Sequence, residues 1–111
     1  MSELGAARAG QDKTLGQSHT WTQVPAISGS PNIIVNGKQA IRVGDPFPTH
    51  TFIPGLPVAP HDSVSAQGST TVIANGVALS RGPAAGPAPG GDQTSCSDTI
   101  GSGSNNVIVG G

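Results

Sequence analysis

The sequence predicts a single small all-β domain, from its composition and from a segment that recurs three times. The 111 residues contain 17 Val and Ile but only four Leu, one Met and no Tyr, and β-branched side chains fit a pleated strand better than a helix. The 17 Gly and 10 Pro divide the chain into short elements joined by turns. The composition therefore argues against an all-α domain.

The apolar content is low for a domain of this length. Leu, Ile, Val and Phe together number 23, near the limit at which burial offsets the conformational entropy lost on folding. The net charge of −1 is not the high charge typical of a disordered chain. Two interpretations follow from composition: a low-complexity linker, or a β domain that a metal or a partner helps to stabilise.

The charge pattern excludes several partners. The five Lys and Arg are scattered singly, so there is no basic stripe for nucleic acid and no polybasic membrane anchor. No apolar run approaches the roughly eighteen residues of a membrane span, and residues 1–10 lack the apolar segment of a secretory signal. We therefore expect a protein made in the cytoplasm without a signal peptide.

Three copies of one segment predict three β-hairpins. Each copy begins with Gly-Ser, continues through mostly β-branched residues and ends in Asn-Gly or Gly-Gly, at residues 29–37, 68–76 and 103–111. Asn-Gly between apolar runs is the strongest short-range signal for a two-residue hairpin turn. Each copy is therefore predicted to be the first strand of a hairpin.

The second strands predict how the chain closes. Residues 38–45 and 77–82 follow the first two copies, whereas the third copy has no second strand after it. The first of these second strands ends in Arg42-Val43-Gly44-Asp45, an Arg-x-Gly-(x)-Asp pattern that residues 3–12 also carry. We therefore expect the N-terminal strand to pair with the C-terminal one. This pairing would close three pseudo-threefold-related hairpins into one domain over residues 1–111. Residues 83–90 are interpreted as an inserted Pro/Gly/Ala loop.

Four residues form a candidate metal site. A hydroxyl residue followed by His or Cys comes after each repeat aspartate, as Ser18-His19, Thr49-His50 and Ser95-Cys96. In a closed ring these equivalent positions would meet near the pseudo-threefold axis, and His61 would be the fourth ligand. Three imidazoles and one thiolate are typical of a closed structural zinc site, and iron is the alternative. A closed site has no open position for water, which argues against zinc hydrolysis.

A small metal- or cysteine-dependent enzyme is the rival interpretation. Cys96 could act as a nucleophile with a histidine base. That chemistry needs a substrate cleft, for which so small an apolar set leaves little material. We therefore predict a protein that is not an enzyme and has no small-molecule substrate.

These features together resemble the PAAR-repeat proteins. The likeness covers residues 5–111. It is carried by the three second strands with their arginines, which we call the arginine arms (residues 3–12, 38–45 and 77–82), by the Gly-Ser strands, by the His and Cys positions and by Pro60-His61. The family's proline is absent from each arginine tetrad: Gly5-Ala6-Ala7-Arg8, Gln39-Ala40-Ile41-Arg42 and Ala78-Leu79-Ser80-Arg81.

The resemblance implies a cone-shaped tip protein of a contractile injection system, either type VI secretion or a contractile phage tail. Its base would bind a trimeric β-helical spike, VgrG-like or a phage central spike, and its apex would hold zinc through His19, His50, His61 and Cys96. The contractile machine would deliver the tip outside the cell, where the tip would contact the target membrane transiently and help to pierce it. A role as effector adaptor on the spike stays open.

The base would be built from the hairpin strands. The apolar positions expected to contact the spike are Ile33, Val35, Val72, Ala74, Val107 and Val109. The alternative is that these side chains only pack against one another, because half of any strand's side chains face inward.

Overall fold

Short antiparallel strands make up the fold. The computed structural model describes residues 4–16, 23–50, 61–84, 90–96 and 98–109. Within them the strands are β1 (Leu4–Ala6), β2 (Ile34–Val35), β3 (Lys38–Gln39), β4 (Pro46–His50), β5 (His61–Val64), β6 (Ile73–Ala74), β7 (Val77–Ala78) and β8 (Arg81–Pro83). They pair as β1 with β8, β2 with β3, β4 with β5 and β6 with β7. The all-β prediction is confirmed, and no described helix has the length and apolar character needed to cross a membrane.

The two Asn-Gly hairpins form as predicted. Asn36 and Gly37 have φ values of 52° and 80°, and Asn75 and Gly76 have values of 55° and 79°. Positive φ at both central residues defines the type I′ turn, whose twist matches that of the flanking strands. Each turn fixes the register of its hairpin, β2 with β3 and β6 with β7.

The N-terminal strand lies between two other segments. On one side β1 pairs with β8. On the other side Gly5 forms an antiparallel bridge to Ile108, and the Ala6 N–H donates to the Val107 carbonyl at 2.9 Å. The predicted contact between the two ends of the chain is confirmed at this bridge, and β1 is not an open sheet edge.

A cycle of three backbone hydrogen bonds joins the arginine arms. The residue before each repeat arginine takes part: Ala7 N–H donates to Ser80 at 3.1 Å, Ser80 to Ile41 at 2.9 Å, and Ile41 back to Ala7 at 2.9 Å. All three residues are fully buried. Each arm is therefore held directly by both of the others.

The apolar core is small and divides into two clusters. The hairpin cluster contains Ala6, Val35, Ala40, Ala74, Leu79 and Val109. The arm cluster contains Ala7, Ala9, Val24, Ala26, Ile41, Phe47 and Ile100. The hairpin cluster corrects part of the expected partner face, because Val35, Ala74 and Val109 point inward and are at most 5% exposed. The strand pleat directs alternate side chains to opposite faces, and these three fall on the inner face.

Each repeat arginine is fixed by a buried aspartate. Asp12 accepts hydrogen bonds from Nε and Nη2 of Arg8 at 2.7 and 2.9 Å, and from the Arg8 backbone N–H at 2.8 Å. Arg42 with Asp45 and Arg81 with Asp92 repeat this arrangement. The side-chain hydrogen bonds to Asp12 raise the pKa of Arg8 above its ordinary value, against the opposing effect of burial.

Arg81 and Asp92, the third Arg–Asp pair, lie on either side of the inserted loop and form the same three hydrogen bonds as the other two pairs. Arg81 and Asp92 are 11 residues apart, against three for Arg42 and Asp45. Pro83, expected at the start of the loop, is instead the buried last residue of β8. Residues 85–89, the rest of the predicted loop apart from Ala84 and Gly90, lie outside the described residues.

Candidate metal centre

His50 is held with one ring nitrogen fixed. It is the last residue of β4 and is 3% exposed, and its Nδ1 lies 2.9 Å from the Pro48 carbonyl oxygen. A carbonyl oxygen only accepts, so Nδ1 carries the proton, and Nε2 of the neutral ring has a lone pair. A backbone carbonyl that fixes the ring in this way is the usual arrangement for a metal-binding histidine.

The loop that carries Cys96 is attached to β5 through Ser95. The Ser95 N–H donates to the Val64 carbonyl at 2.8 Å, and the Val64 N–H donates to Ser95 Oγ at 3.0 Å. Because β5 pairs with β4, these two bonds place the cysteine loop beside the strand that ends in His50. The hydroxyl that precedes the cysteine in the sequence thus anchors the loop.

The two donor atoms lie at a distance suited to a shared metal. Cys96 Sγ is 3.9 Å from His50 Nε2. A tetrahedral zinc ion with ordinary Zn–S and Zn–N bonds would hold such a pair about 3.6 Å apart. Cys96 is partly exposed. The geometry fits the predicted roles of His50 and Cys96 as ligands.

The other two candidates are described less fully. His61 is the first residue of β5, and its backbone lies opposite that of His50 in the sheet register. The two residues are eleven positions apart in sequence but are neighbours across the strand pair. His19 lies outside the described residues. Within the described part of the chain no group of three or more His, Cys, Asp or Glu side chains lies together. The four-ligand zinc site therefore stays a prediction.

Two further residues adjoin the sulfur. Thr94 Oγ1 is 3.2 Å from Cys96 Sγ, and the same oxygen accepts the Asp98 N–H at 3.2 Å. From the sequence, Thr94 is noted only as part of the Thr-Ser-Cys segment, and no sequence pattern predicts a role for Asp98. Both belong to the surroundings of the candidate site.

The outer faces of the three repeat segments carry exposed apolar pairs. Ile33, Val72 and Val107, which were expected to contact a partner, are 38%, 38% and 39% exposed. Sequence reasoning missed their neighbours Ile34, Ile73 and Ile108, which are 57%, 56% and 46% exposed. Counting back two residues from the Asn-Gly turns would have found the first two, since the residue next to each turn points inward. We call these six residues the apolar pairs.

Comparison with known proteins does not identify a family. No protein-family model matches the chain, and no curated protein matches it. The resemblance to PAAR-repeat proteins accordingly remains a prediction from the residues.

Proposed function

We propose that this chain is the structural tip of a trimeric β-helical spike, which it caps and sharpens for membrane piercing. The observation that carries the proposal is the set of apolar pairs, one on each repeat and at closely matched exposure. Exposed apolar residues are ordinarily scattered singly on a monomer, whereas a repeated cluster marks a surface of interaction. The end of a three-chain partner offers three identical surfaces, and three like pairs on one chain suit it.

Polar contacts between neighbouring repeats support this arrangement. Asn36 Nδ2 donates to Asn106 Oδ1 at 3.0 Å, and Asn75 Nδ2 donates to Asn32 Oδ1 at 2.8 Å. Each bond joins a hairpin turn to the start of a different repeat segment. These bonds hold the repeats side by side, so the apolar pairs keep fixed relative positions without a partner.

The cycle of backbone bonds supports a pseudo-threefold cone. Ala7, Ile41 and Ser80 occupy equivalent positions in the three arms, and each bonds to the next. We place the pseudo-threefold axis through this cycle, with the apolar pairs at the base and the candidate metal centre at the apex. A cone on this axis would continue the symmetry axis of the spike.

The proposed metal is zinc, bound by His19, His50, His61 and Cys96. The supporting observations are the fixed His50 ring and the Nε2 to Sγ distance. Bound zinc would add its binding free energy to folding, which suits a tip that has a small core and must stay rigid. The role needs no catalysis, and iron is the second choice of metal on ligand type.

The proposal is tested by the mass of a complex. The purified chain is mixed with trimeric β-helical spike protein from the same genome and weighed by native mass spectrometry. We expect one chain per trimer. The triple variant Ile34→Asp, Ile73→Asp, Ile108→Asp should lose the complex, because it places charge in the contact.

A matched control separates a lost contact from a general effect of surface charge. Ile27 is 64% exposed and is not one of the apolar pairs, so Ile27→Asp should leave the complex intact. Circular dichroism should show that both variants keep the wild-type fold. Three chains per trimer, or full binding by the triple variant, would contradict the proposal.

A further inference from the structure

We propose that Thr94 is a positioning residue for the Cys96 sulfur, an inference that rests on the proposed metal centre. Thr94 is 3% exposed, and its Oγ1 is 3.2 Å from Sγ. A buried hydroxyl at this distance can donate a hydrogen bond to sulfur without competition from bulk water. A metal-bound sulfur is a thiolate, which can only accept.

Two hydrogen bonds to Asp98 hold Thr94 and its hydroxyl oxygen in place. The Asp98 N–H donates to Thr94 Oγ1 at 3.2 Å, and the Thr94 N–H donates to the Asp98 carbonyl at 2.8 Å. Oγ1 accepts this bond through one lone pair and keeps its own proton, which it can donate to a Cys96 thiolate. The two bonds close the loop and place the cysteine inside it.

Asp98 extends this support to the first repeat. Its carboxylate is buried at 2% exposure and accepts the Gly16 N–H at 3.1 Å and the Thr99 N–H at 2.8 Å. Gly16 is the last described residue before the segment that contains His19. Asp98 therefore joins the loop that carries Cys96 to the chain that leads toward a second predicted ligand.

The hydroxyl would strengthen metal binding by holding the sulfur in place before the metal arrives. Groups that hydrogen-bond to metal ligands typically change metal affinity by about 10- to 100-fold when they are removed. The effect would come from one hydroxyl, since valine has nearly the same shape as threonine. Thr94→Val is therefore the variant that isolates the contact.

The chain supplies a control in Thr14, which stands two residues after Asp12 as Thr94 does after Asp92. Thr14 is 2% exposed, and its Oγ1 accepts the Val24 N–H at 3.2 Å. Thr14→Val and Thr94→Val thus remove the same kind of buried bond. Thr94 contacts the Cys96 sulfur, whereas Thr14 bonds to Val24, so any general cost of the valine should appear in both variants and the loss of the sulfur contact only in Thr94→Val.

The test is zinc affinity measured by chelator competition on the full chain. We expect Thr94→Val to bind zinc about 10- to 100-fold more weakly than wild type, with Thr94→Ser and Thr14→Val close to wild type. As a second readout, the sulfur-to-cobalt charge-transfer band of the Co²⁺-loaded chain should shift in Thr94→Val and stay unchanged in Thr14→Val.

Each outcome decides between the two proposals. Equal zinc affinity and an unchanged cobalt band in Thr94→Val would overturn the role of Thr94 and leave the metal centre standing. A wild-type chain that binds neither metal would contradict both. If Thr94→Val does not fold, Thr94→Ser decides the matter, because a variant that keeps the hydroxyl but loses affinity would be inconsistent with the hydrogen bond.

Discussion

At the residue scale, the Arg-x-Gly-(x)-Asp pattern is a structural device. In each repeat the aspartate binds both the guanidinium and the backbone N–H of its arginine. A paired fork of this kind is geometrically specific and stronger than a neutral hydrogen bond. Asp12 also accepts a hydrogen bond from Ser102 Oγ at 2.7 Å, which joins the first arm to the residue that precedes the third repeat segment.

Asp12→Asn should destabilise the domain by about 2–4 kcal/mol, because it leaves the largely enclosed Arg8 without its counter-charge. Only 16% of the Arg8 side chain is exposed, so water replaces the lost contacts poorly. Urea unfolding at pH 7 with zinc present measures the change. Lys13→Gln removes an exposed charge next in the chain and should stay within about 0.5 kcal/mol of wild type. Equal stability of the two variants would refute the structural role of the pair.

At the element scale, glycine serves two different purposes, one in a hairpin turn and one within a strand. Gly37 has φ 80° in its turn, and a Cβ there would meet nothing within 4 Å. Gly82 in β8 pairs with Gly5 in β1, and a Cβ on Gly82 would overlap the Ser102 carbonyl oxygen. The first glycine permits a turn, and the second permits close approach of backbone segments.

The two glycines should therefore differ sharply when alanine replaces them. Gly37→Ala should cost about 1–2 kcal/mol, the ordinary penalty for a side chain in the left-handed region. Gly82→Ala should cost at least about 3 kcal/mol, because the overlap is with backbone that cannot rotate away. Thermal unfolding of both variants measures the difference. A Gly82→Ala chain as stable as Gly37→Ala would mean that β8 and the third segment are not packed as described.

Local turn chemistry explains why the hairpins could be predicted from sequence. Asn-Gly specifies positive φ at two consecutive residues, and the shared arginine pattern was enough to pair the N-terminal strand with the last repeat. The exposed face could not be assigned in this way, because strands of two residues are too short to show alternation. One residue of register decides whether Ile34 or Val35 is buried.

The candidate site was predictable only in part. His50 and Cys96 could be predicted as ligands because they occupy equivalent positions in the sequence repeats. Thr94 and Asp98 act through a loop that folds back on itself, and no sequence period marks that contact. The same holds for Ser95, whose two bonds to Val64 join segments about thirty residues apart.

At the scale of the whole molecule, a small apolar core is supplemented by polar and backbone contacts. Of the thirteen buried apolar residues described, six are alanine, so each contributes little burial energy. Each Arg–Asp pair stabilises its own repeat, and the cycle through Ala7, Ile41 and Ser80 links the repeats. A metal bound by residues from all three repeats would add the stabilisation that the core does not supply.

The most direct measurement is the metal content of the purified chain together with its melting temperature. We expect about one zinc ion per chain. Chelation should lower the melting temperature, added zinc should restore it, and Cys96→Ser should lose zinc and thermal stability together. A metal-free chain with an unchanged melting temperature would contradict the proposed metal-stabilised tip.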